Sequence, residues 1–173
     1  MSENRVVDPL TLSIIEHRLD NVTEELGLRA RKSCYSWATS RLRDMGIALL
    51  DSSERIVIHG DYIPLHCAGS NIAIKGMLDY IGRDNIYPDD FIIGNDYYIV
   101  RNGHLPDWSF LRPIFYEDKL IFYTYMRTHQ YDSGGAYPVG YFPRSFDCHS
   151  EGLIIPPTKV IERGKVNENV YRL

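Results

Sequence analysis

Residues 109–127 read SFLRPIFYEDKLIFYTYMR, two runs of alternating aromatic and aliphatic residues on either side of the polar triplet Glu117-Asp118-Lys119. Such runs are typical of half-buried β-strands. The triplet supplies the polar turn that joins antiparallel neighbours. The sequence therefore predicts a β-hairpin with strands at residues 109–116 and 120–127.

Three shorter elements are predicted before this hairpin. Residues 47–50 and 56–59 are rich in β-forming residues and flank a polar stretch, so they predict a second hairpin. From Ser70, apolar residues recur at helical spacing until Gly82, a residue suited to the left-handed end of a helix. Residues 91–93 predict one more strand.

A long amphipathic helix is predicted near the N-terminus. Asp8-Pro9 marks its start, because Asp caps free backbone N–H groups and Pro is tolerated at the first helical position. Apolar residues then recur at steps of three and four, which places them on one stripe of the helix: Leu12, Ile15, Leu19, Val22, Leu26 and Ala30. The predicted helix covers roughly residues 9–33.

The chain becomes rich in glycine and proline after Asp132, which predicts a long structured loop. The elements together predict an α+β fold, in which the long N-terminal helix packs on a mainly antiparallel sheet and a Pro/Gly-rich arm leads to the C-terminus. With 44% apolar content, the 173 residues are expected to form a single domain, residues 1–173, around one core.

Composition and charge exclude several classes of protein. The formal net charge is -4 and the basic residues are scattered, so the basic patch of a nucleic-acid-binding protein is missing. No apolar run approaches the roughly 20 residues that span a bilayer, and residues 1–7 lack the regions of a signal peptide. Cys34, Cys67 and Cys148 fit neither a disulfide framework nor paired zinc ligands. We expect a cytoplasmic protein without nucleic-acid or membrane partners.

Two His-x-x-Asp units are the candidates for chemistry. His104-Leu105-Pro106-Asp107 precedes the main hairpin, and His129-Gln130-Tyr131-Asp132 follows it. Imidazole nitrogen and carboxylate oxygen together suit Zn, Mn or Fe, and two histidines with one carboxylate leave coordination positions open. Alternatively, both histidines form ordinary hydrogen bonds at strand ends. The spacing by itself leaves both interpretations open.

Further short motifs accompany these units in order along nearly the whole chain. They are Asp8-Pro9-Leu10-Thr11, Arg41-Leu42-Arg43-Asp44, Ala48-Leu49-Leu50-Asp51, Ile63-Pro64-Leu65-His66, Asn95-Asp96, Pro113-Ile114-Phe115, Glu151-Gly152-Leu153 and Ile155-Pro156-Pro157. In this order and at this spacing the motifs resemble the hydantoinase B/oxoprolinase family, which includes the alpha-type subunits of acetone carboxylase. The resemblance implies that the chain corresponds to the N-terminal part of a hydantoinase B-type subunit.

The same resemblance implies a metal site. Its first ligands are expected to be His104, Asp107 and His129. Asp44 and Asp132 come next, as catalytic groups. Asp44 is a fourth ligand, a base or a solvated turn residue, and Asp132 either ligates the ion or holds the His129 ring.

Three other residues are weaker candidates. Asp96 either orients the loop to His104 or forms ordinary turn contacts. Glu151 is the weakest candidate of all. His66 is expected to pack or to form a hydrogen bond rather than to bind the metal.

Partners and a reaction class also follow from the resemblance. The sequence contains no Gly-x-x-x-x-Gly-Lys or Gly-x-Gly-x-x-Gly phosphate loop, so ATP is expected on a hydantoinase A-like partner subunit. The remainder of the hydantoinase B-type subunit is the second expected partner. The complex is expected to carboxylate a ketone or to hydrolyse a cyclic amide of the hydantoin, oxoproline or lactam type, with the metal acting on a small-molecule carbonyl substrate.

Two departures from the family pattern favour an alternative function. Gln130 stands where the family often has a second histidine, and family chains are several times longer, so a split gene or a fragment is expected. A non-catalytic scaffold subunit that keeps the family fold is therefore the competing hypothesis. Retention of both His-x-x-Asp units favours the enzymatic hypothesis.

Overall fold

Seven strands form one antiparallel sheet in the computed structural model, which describes residues 7–60 and 62–172. The strands are β1 (Met45–Asp51), β2 (Ile56–His59), β3 (Phe91–Gly94), β4 (Asp107–Tyr116), β5 (Lys119–His129), β6 (Thr158–Glu162) and β7 (Lys165–Val166). Their order across the sheet is β2-β1-β5-β4-β3-β6-β7. The sequence-based prediction about a signal peptide concerns residues 1–7, and residues 1–6 lie outside the described ranges.

The predicted main hairpin forms the centre of this sheet. β4 and β5 pair from Asp107 opposite His129 to Tyr116 opposite Lys119, with one register shift between Ile114 and Phe115, so both strands extend beyond the predicted bounds. Glu117 and Asp118 make the turn, and their φ angles of 47° and 60° are the positive values that a two-residue hairpin loop of type I′ requires. β5 also pairs along its length with β1.

Three helices cover one face of the sheet. They are α2 (Pro64–Ala68), α3 (Ser70–Ile81) and α4 (Tyr97–Val100). α3 was predicted, and Gly82 ends it with a φ angle of 88°. Its apolar side packs on every second residue of the central strands, which builds the hydrophobic core: Ala48, Leu50, Ala73, Ile74, Met77, Leu78, Ile92, Leu111, Tyr123 and Tyr125.

The N-terminal helix α1 spans Pro9–Ser33, as predicted, and the carboxylate of Asp8 caps it by accepting from the Thr11 N–H. It packs on the sheet over part of its length. α1 contacts β1 and β2 through its second half, where Thr23 and Gly27 are buried, whereas Leu12 remains 49% exposed. A helix of 25 residues is about 37 Å long, so its first half extends beyond these contacts. Within the described ranges, neither α1 nor another helix is long and apolar enough to cross a membrane.

The Pro/Gly-rich arm ends in regular structure that the sequence did not predict. After short 3-10 turns at Pro138–Gly140 and Cys148–Glu151, the chain returns to the sheet, and β6 pairs with β3. β7 and the short helix α5 (Glu168–Tyr171) follow. The predicted α+β class, with an N-terminal helix on an antiparallel sheet, is confirmed, and the arm ends in two additional strands at one side of the sheet.

The Glu117-Asp118 turn predicts a stabilising substitution. Both residues adopt a left-handed conformation that costs residues with a Cβ about 1 kcal/mol or more. The double change Glu117→Asn with Asp118→Gly should therefore raise the free energy of unfolding by about 1 kcal/mol, measured by urea denaturation. Asp118→Val is the opposing control and should lower it, because a β-branched residue tolerates positive φ poorly. Equal denaturation midpoints for all three chains would contradict this account.

Candidate metal centre

Asp107 and His129 face each other across the central hairpin. They are directly opposed at the open end of β4 and β5, and opposed residues of an antiparallel pair project from the same face. The Nδ1 atom of His129 lies 3.2 Å from Oδ1 of Asp107. Both side chains are buried, since the His129 side chain is 1% exposed and that of Asp107 is 7% exposed, so this contact is shielded from water.

His104 reaches the same carboxylate from the preceding turn. Its Nε2 atom lies 2.9 Å from Asp107 Oδ1 and 3.2 Å from His129 Nδ1. The three residues form the group of possible ligands within the described part of the chain, and their donor atoms all lie within 4.8 Å of one another. The structure thus brings together the three residues that the sequence selected as metal ligands.

A network of backbone contacts fixes the turn that carries His104. The Asp107 N–H donates to the His104 carbonyl (3.2 Å), and the Gln130 N–H donates to the Pro106 carbonyl (2.7 Å). The Asn102 amide donates to the carbonyls of His104 (2.6 Å) and Asp107 (3.1 Å). Asn102 was not a sequence-based candidate, because an isolated asparagine before a glycine predicts only a turn.

Asn95 and Glu151 hold the middle of this turn. The Asn95 amide donates to the Leu105 carbonyl at 2.7 Å, and the Glu151 carboxylate accepts from the Leu105 N–H at 3.3 Å. The Tyr97 hydroxyl donates a hydrogen bond to the same carboxylate. Asp96 has a different role, because its carboxylate caps α4 by accepting from two backbone N–H groups. The residue that contacts the loop of His104 is therefore Asn95 rather than its neighbour Asp96.

Asp44 and His66 extend the cluster behind Asp107. Nε2 of His66 lies 2.8 Å from Oδ1 of Asp44, and its Nδ1 lies 3.8 Å from Oδ2 of Asp107. Asp44 precedes β1, and its carbonyl accepts from the His129 N–H at 3.0 Å. Gly46 lets α2 approach β1, since a Cβ at this position would lie 2.5 Å from the Cβ of His66. His66 thus forms a hydrogen bond, as predicted.

The electrostatics of the cluster keep the carboxylate ionised. Burial acts to raise the pKa of Asp107, but hydrogen bonds from His104 and His129 hold this pKa well below its usual range. For His104, burial acts to lower the pKa, whereas the hydrogen bond and charge of Asp107 raise it above its ordinary value. An ionised carboxylate is the form that binds a cation.

An aromatic ring covers the two histidines from outside. The Tyr141 ring centroid lies 5.4 Å from that of His129, at an interplanar angle of 9°, and 5.2 Å from that of His104. Burial, followed by the charges of Asp44 and Asp107, raises the pKa of the Tyr141 phenol. No motif points to Tyr141, because it lies in the irregular arm.

Two residues of the His129 unit, Asp132 and Gln130, lie outside the cluster. Asp132 is exposed, and its carboxylate accepts from the Gly134 N–H at 2.9 Å. Gln130 directs its amide to Thr128, whose hydroxyl accepts at 2.5 Å. The structure therefore does not bring Asp132, the aspartate of the His129 unit, to the three candidate ligands.

The arrangement fits a divalent cation. Donor atoms about 2.1 Å from an ion lie about 3.0–3.4 Å apart at octahedral or tetrahedral angles. The contacts between His104 Nε2, Asp107 Oδ1 and His129 Nδ1 are 2.9–3.2 Å. Because the Nε2 atom of His129 is buried and has no partner within the described ranges, Nδ1 is the nitrogen through which this ring interacts.

Comparison with known protein families decides the relationship. A family model described as Hydantoinase B/oxoprolinase matches residues 8–173, which is nearly the whole chain. The chain belongs to the hydantoinase B/oxoprolinase family. The resemblance predicted from its motifs is thereby confirmed.

Relatives in the hydantoinase B/oxoprolinase family include subunit beta of the caprolactamase from Pseudomonas jessenii, 32% identical over 167 residues, or 96% of this chain and 28% of that protein. The 5-oxoprolinase of Saccharomyces cerevisiae is 30% identical over 169 residues, which are 96% of this chain and 13% of that protein. The crystal structure of the ATP-dependent caprolactamase superimposes with a TM-score of 0.84 at 32% identity, over 97% of this chain and 29% of that one.

A nucleotide-free acetone carboxylase structure also has this fold. Its TM-score is 0.85 over 95% of this chain and 22% of that one, at 21% identity, a level that shows the fold alone. This hydantoinase B/oxoprolinase chain spans less than a third of the length of the relatives it matches.

Stability of the metal-free protein should depend on pH through His104 and Asp107. The raised His104 pKa contributes stability that is complete below about pH 6.5 and is lost as the pH rises through the folded-state value. The lowered Asp107 pKa contributes stability that is complete above about pH 3.9 and is lost on acidification. His104→Ala should therefore lower the free energy of unfolding most near pH 5–6 and progressively less towards pH 9. The measurement is urea denaturation in the presence of EDTA.

Asp107→Asn is the matched control for this effect. It removes the largest of the contributions that raise the His104 pKa, so the pH-dependent part of the His104→Ala effect should change markedly in this background. A cost of His104→Ala that stays constant from pH 5 to pH 9 would show that the pair does not interact as described.

Proposed function

We propose that this chain is the metal-binding part of a multi-subunit, ATP-dependent enzyme that acts on a small carbonyl compound. Hydrolysis of a cyclic amide is the reaction we favour, and carboxylation of a ketone is the second candidate. The observation that carries the proposal is the convergence of His104, Asp107 and His129 in a chain of the hydantoinase B/oxoprolinase family. In this assignment residues 1–173 act as one domain of a larger, cytoplasmic assembly.

Hydrolysis of a cyclic amide is favoured by the sequence identity between this chain and its relatives. The caprolactamase subunit and 5-oxoprolinase are 32% and 30% identical to this chain, and the substrates in their names are cyclic amides. The acetone carboxylase likeness, at 21% identity, concerns the fold alone. Ketone carboxylation therefore rests on fold analogy, which is the weaker support for function.

His104, Asp107 and His129 are the residues we assign to the cation, with Zn, Mn and Fe as the candidates. Such a cation, when bound, polarises a carbonyl oxygen or lowers the pKa of a bound water. Asp107 supplies the negative charge, and the imidazole of His104, with 18% of its side chain exposed, borders the accessible side. A catalytic role for Asp132 stays a prediction.

Asp44 and His66 are assigned to the support of Asp107. Since His66 touches both carboxylates, it links Asp44 to the side of Asp107 that faces away from His104. Groups that hold a ligating carboxylate fix its orientation and its charge. Of the three interpretations of Asp44, this geometry favours neither a solvated turn residue nor a fourth ligand, and a role as a base stays a prediction.

Partner subunits are part of the proposal. The caprolactamase is described as ATP-dependent, and its matching chain as a beta subunit. We assign ATP to a hydantoinase A-like partner and the rest of the active site to the remainder of the hydantoinase B-type subunit. An apolar cleft of about 490 Å³, lined by Phe91, Trp108 and Phe110 among others, lies on the sheet face opposite Asp107 and offers a contact surface.

Metal binding is the experiment that tests this function. We expect one Mn²⁺ or Zn²⁺ ion per chain in calorimetric titration, and His104→Ala should weaken binding by more than about 100-fold, because even changes behind the ligands cost 10–100-fold. His149→Ala is the matched control, since His149 is an exposed histidine of the arm. A chain that binds none of Zn, Mn and Fe stoichiometrically, or an unaffected His104→Ala variant, would leave the scaffold hypothesis in place.

The support of Asp107 by Asp44 has its own test. Asp44→Asn should weaken Mn²⁺ binding by about 10–100-fold, because the contact to His66 loses its charge. The same change at Asp132, whose carboxylate bonds to the Gly134 N–H, should leave Mn²⁺ affinity unchanged. If the two variants bind Mn²⁺ equally well, the assignment of Asp44 is wrong.

A further inference from the structure

Tyr141 lies across the outer side of the candidate metal centre. Its ring is nearly parallel to the His129 imidazole, with a centroid separation of 5.4 Å, and lies 5.2 Å from the His104 ring. One side chain of the arm therefore contacts both imidazoles that present donor atoms. Rings at these distances pack against each other and leave no room for water between them.

The position of Tyr141 is set by the residue before it. Gly140 has a φ angle of 69°, and a Cβ at this position would lie 2.3 Å from the Cγ atom of Pro106. Pro106 belongs to the turn of residues 104–107, which carries two of the three candidate ligands. Glycine is thus required for the arm to pack on this turn and to place Tyr141 over it.

This side of the centre is also the side open to solvent. The side chains of Asp107, His129 and His66 are 7%, 1% and 6% exposed, whereas His104 keeps 18% of its side chain exposed. Tyr141 itself is 68% exposed, so its outer face meets water while its inner face meets the histidines. Tyr141 therefore lies between solvent and the two imidazoles.

We propose that Tyr141 is a positioning residue that forms the wall of the substrate entrance and restricts access of water to a cation held by His104, Asp107 and His129. The inference rests on the proposed function, because it requires that cation. The ring borders His104, the most exposed of the three candidate ligands, so we expect a small carbonyl compound to reach the cation more readily than a bulky one. The arm therefore contributes to substrate selection through one aromatic side chain.

The test counts water molecules on bound Mn²⁺. Proton relaxation of water is enhanced by Mn²⁺ in proportion to the waters that exchange on the ion, so the full 173-residue chain is loaded with Mn²⁺ and measured per bound ion. The variants are Tyr141→Ala, Tyr141→Phe and Gly140→Ala. Tyr116→Ala is the matched control, because Tyr116 is 67% exposed, as Tyr141 is 68% exposed, but lies at the far end of β4.

If Tyr141 restricts access of water, the relaxation enhancement should differ among the variants in a defined order. Tyr141→Ala should increase the relaxation enhancement per ion by the contribution of about one additional exchanging water, because an open coordination position then meets solvent freely. Tyr141→Phe keeps the ring and should match the unsubstituted chain. Gly140→Ala keeps the tyrosine but displaces the arm, so it should resemble Tyr141→Ala, and Tyr116→Ala should change nothing.

Two outcomes would overturn the inference. Tyr141→Ala with an unchanged enhancement would show that the ring does not limit access, and Tyr141→Phe with the value of Tyr141→Ala would assign the effect to the hydroxyl. Titration of the same samples with Mn²⁺ separates this failure from failure of the proposed function, which would appear as loss of stoichiometric binding in the unsubstituted chain. A single cooperative urea transition shows that each variant is folded before Mn²⁺ is added.

Discussion

The register of the central hairpin is the constraint on which the candidate centre depends. Asp107 and His129 meet because they are directly opposed in the β4–β5 ladder. A shift of one residue would move His129 to the other face of the sheet, away from the carboxylate. The two-residue turn at Glu117-Asp118 and the pairing of β5 with β1 oppose such a shift, so the geometry of the site follows from the geometry of the sheet.

Polar groups in this cluster are buried at an energetic cost that hydrogen bonds must offset. An ionised carboxylate away from water is unfavourable unless it is paired, and Asp107 receives contacts from His104 and His129 and faces His66. Asn95 and Asn102 satisfy the carbonyl groups of the turn. The polar network thus holds three donor atoms within hydrogen-bonding distance of one another.

The two faces of the sheet are covered unequally. α2, α3 and α4 close the face that carries Asp107, and the hydrophobic core lies beneath them. The opposite face keeps apolar clefts that share Phe91 and Phe110, and the stripe of α1 that includes Leu12 remains exposed. Since the matched relatives are more than three times as long, contact with further polypeptide is the physical explanation we propose for this apolar surface.

The sequence by itself determined the elements whose pattern is local. The period of the aromatic residues predicted the central hairpin, and Asp8-Pro9 predicted the start of α1. These two signals depend on neighbours a few residues apart, so a single sequence carries them. The spacing of the two His-x-x-Asp units left their role open, and only the resemblance of the whole series of motifs to the family made His104, Asp107 and His129 the candidate ligands. The exposure of the first half of α1 and the strand β6 were not predicted, because each depends on distant partners rather than on its own composition.

Only the tertiary structure decided which polar residues serve the site. Asn102, Tyr141 and the link from Asp44 through His66 to Asp107 lie far apart in sequence and become neighbours by folding. It also separated Asp44 from Asp132, which had looked equivalent: one faces the cluster and the other caps a turn. The reason is that a hydrophobic period fixes which face a residue occupies, whereas the partner of a buried polar atom is fixed by contacts across the whole sheet.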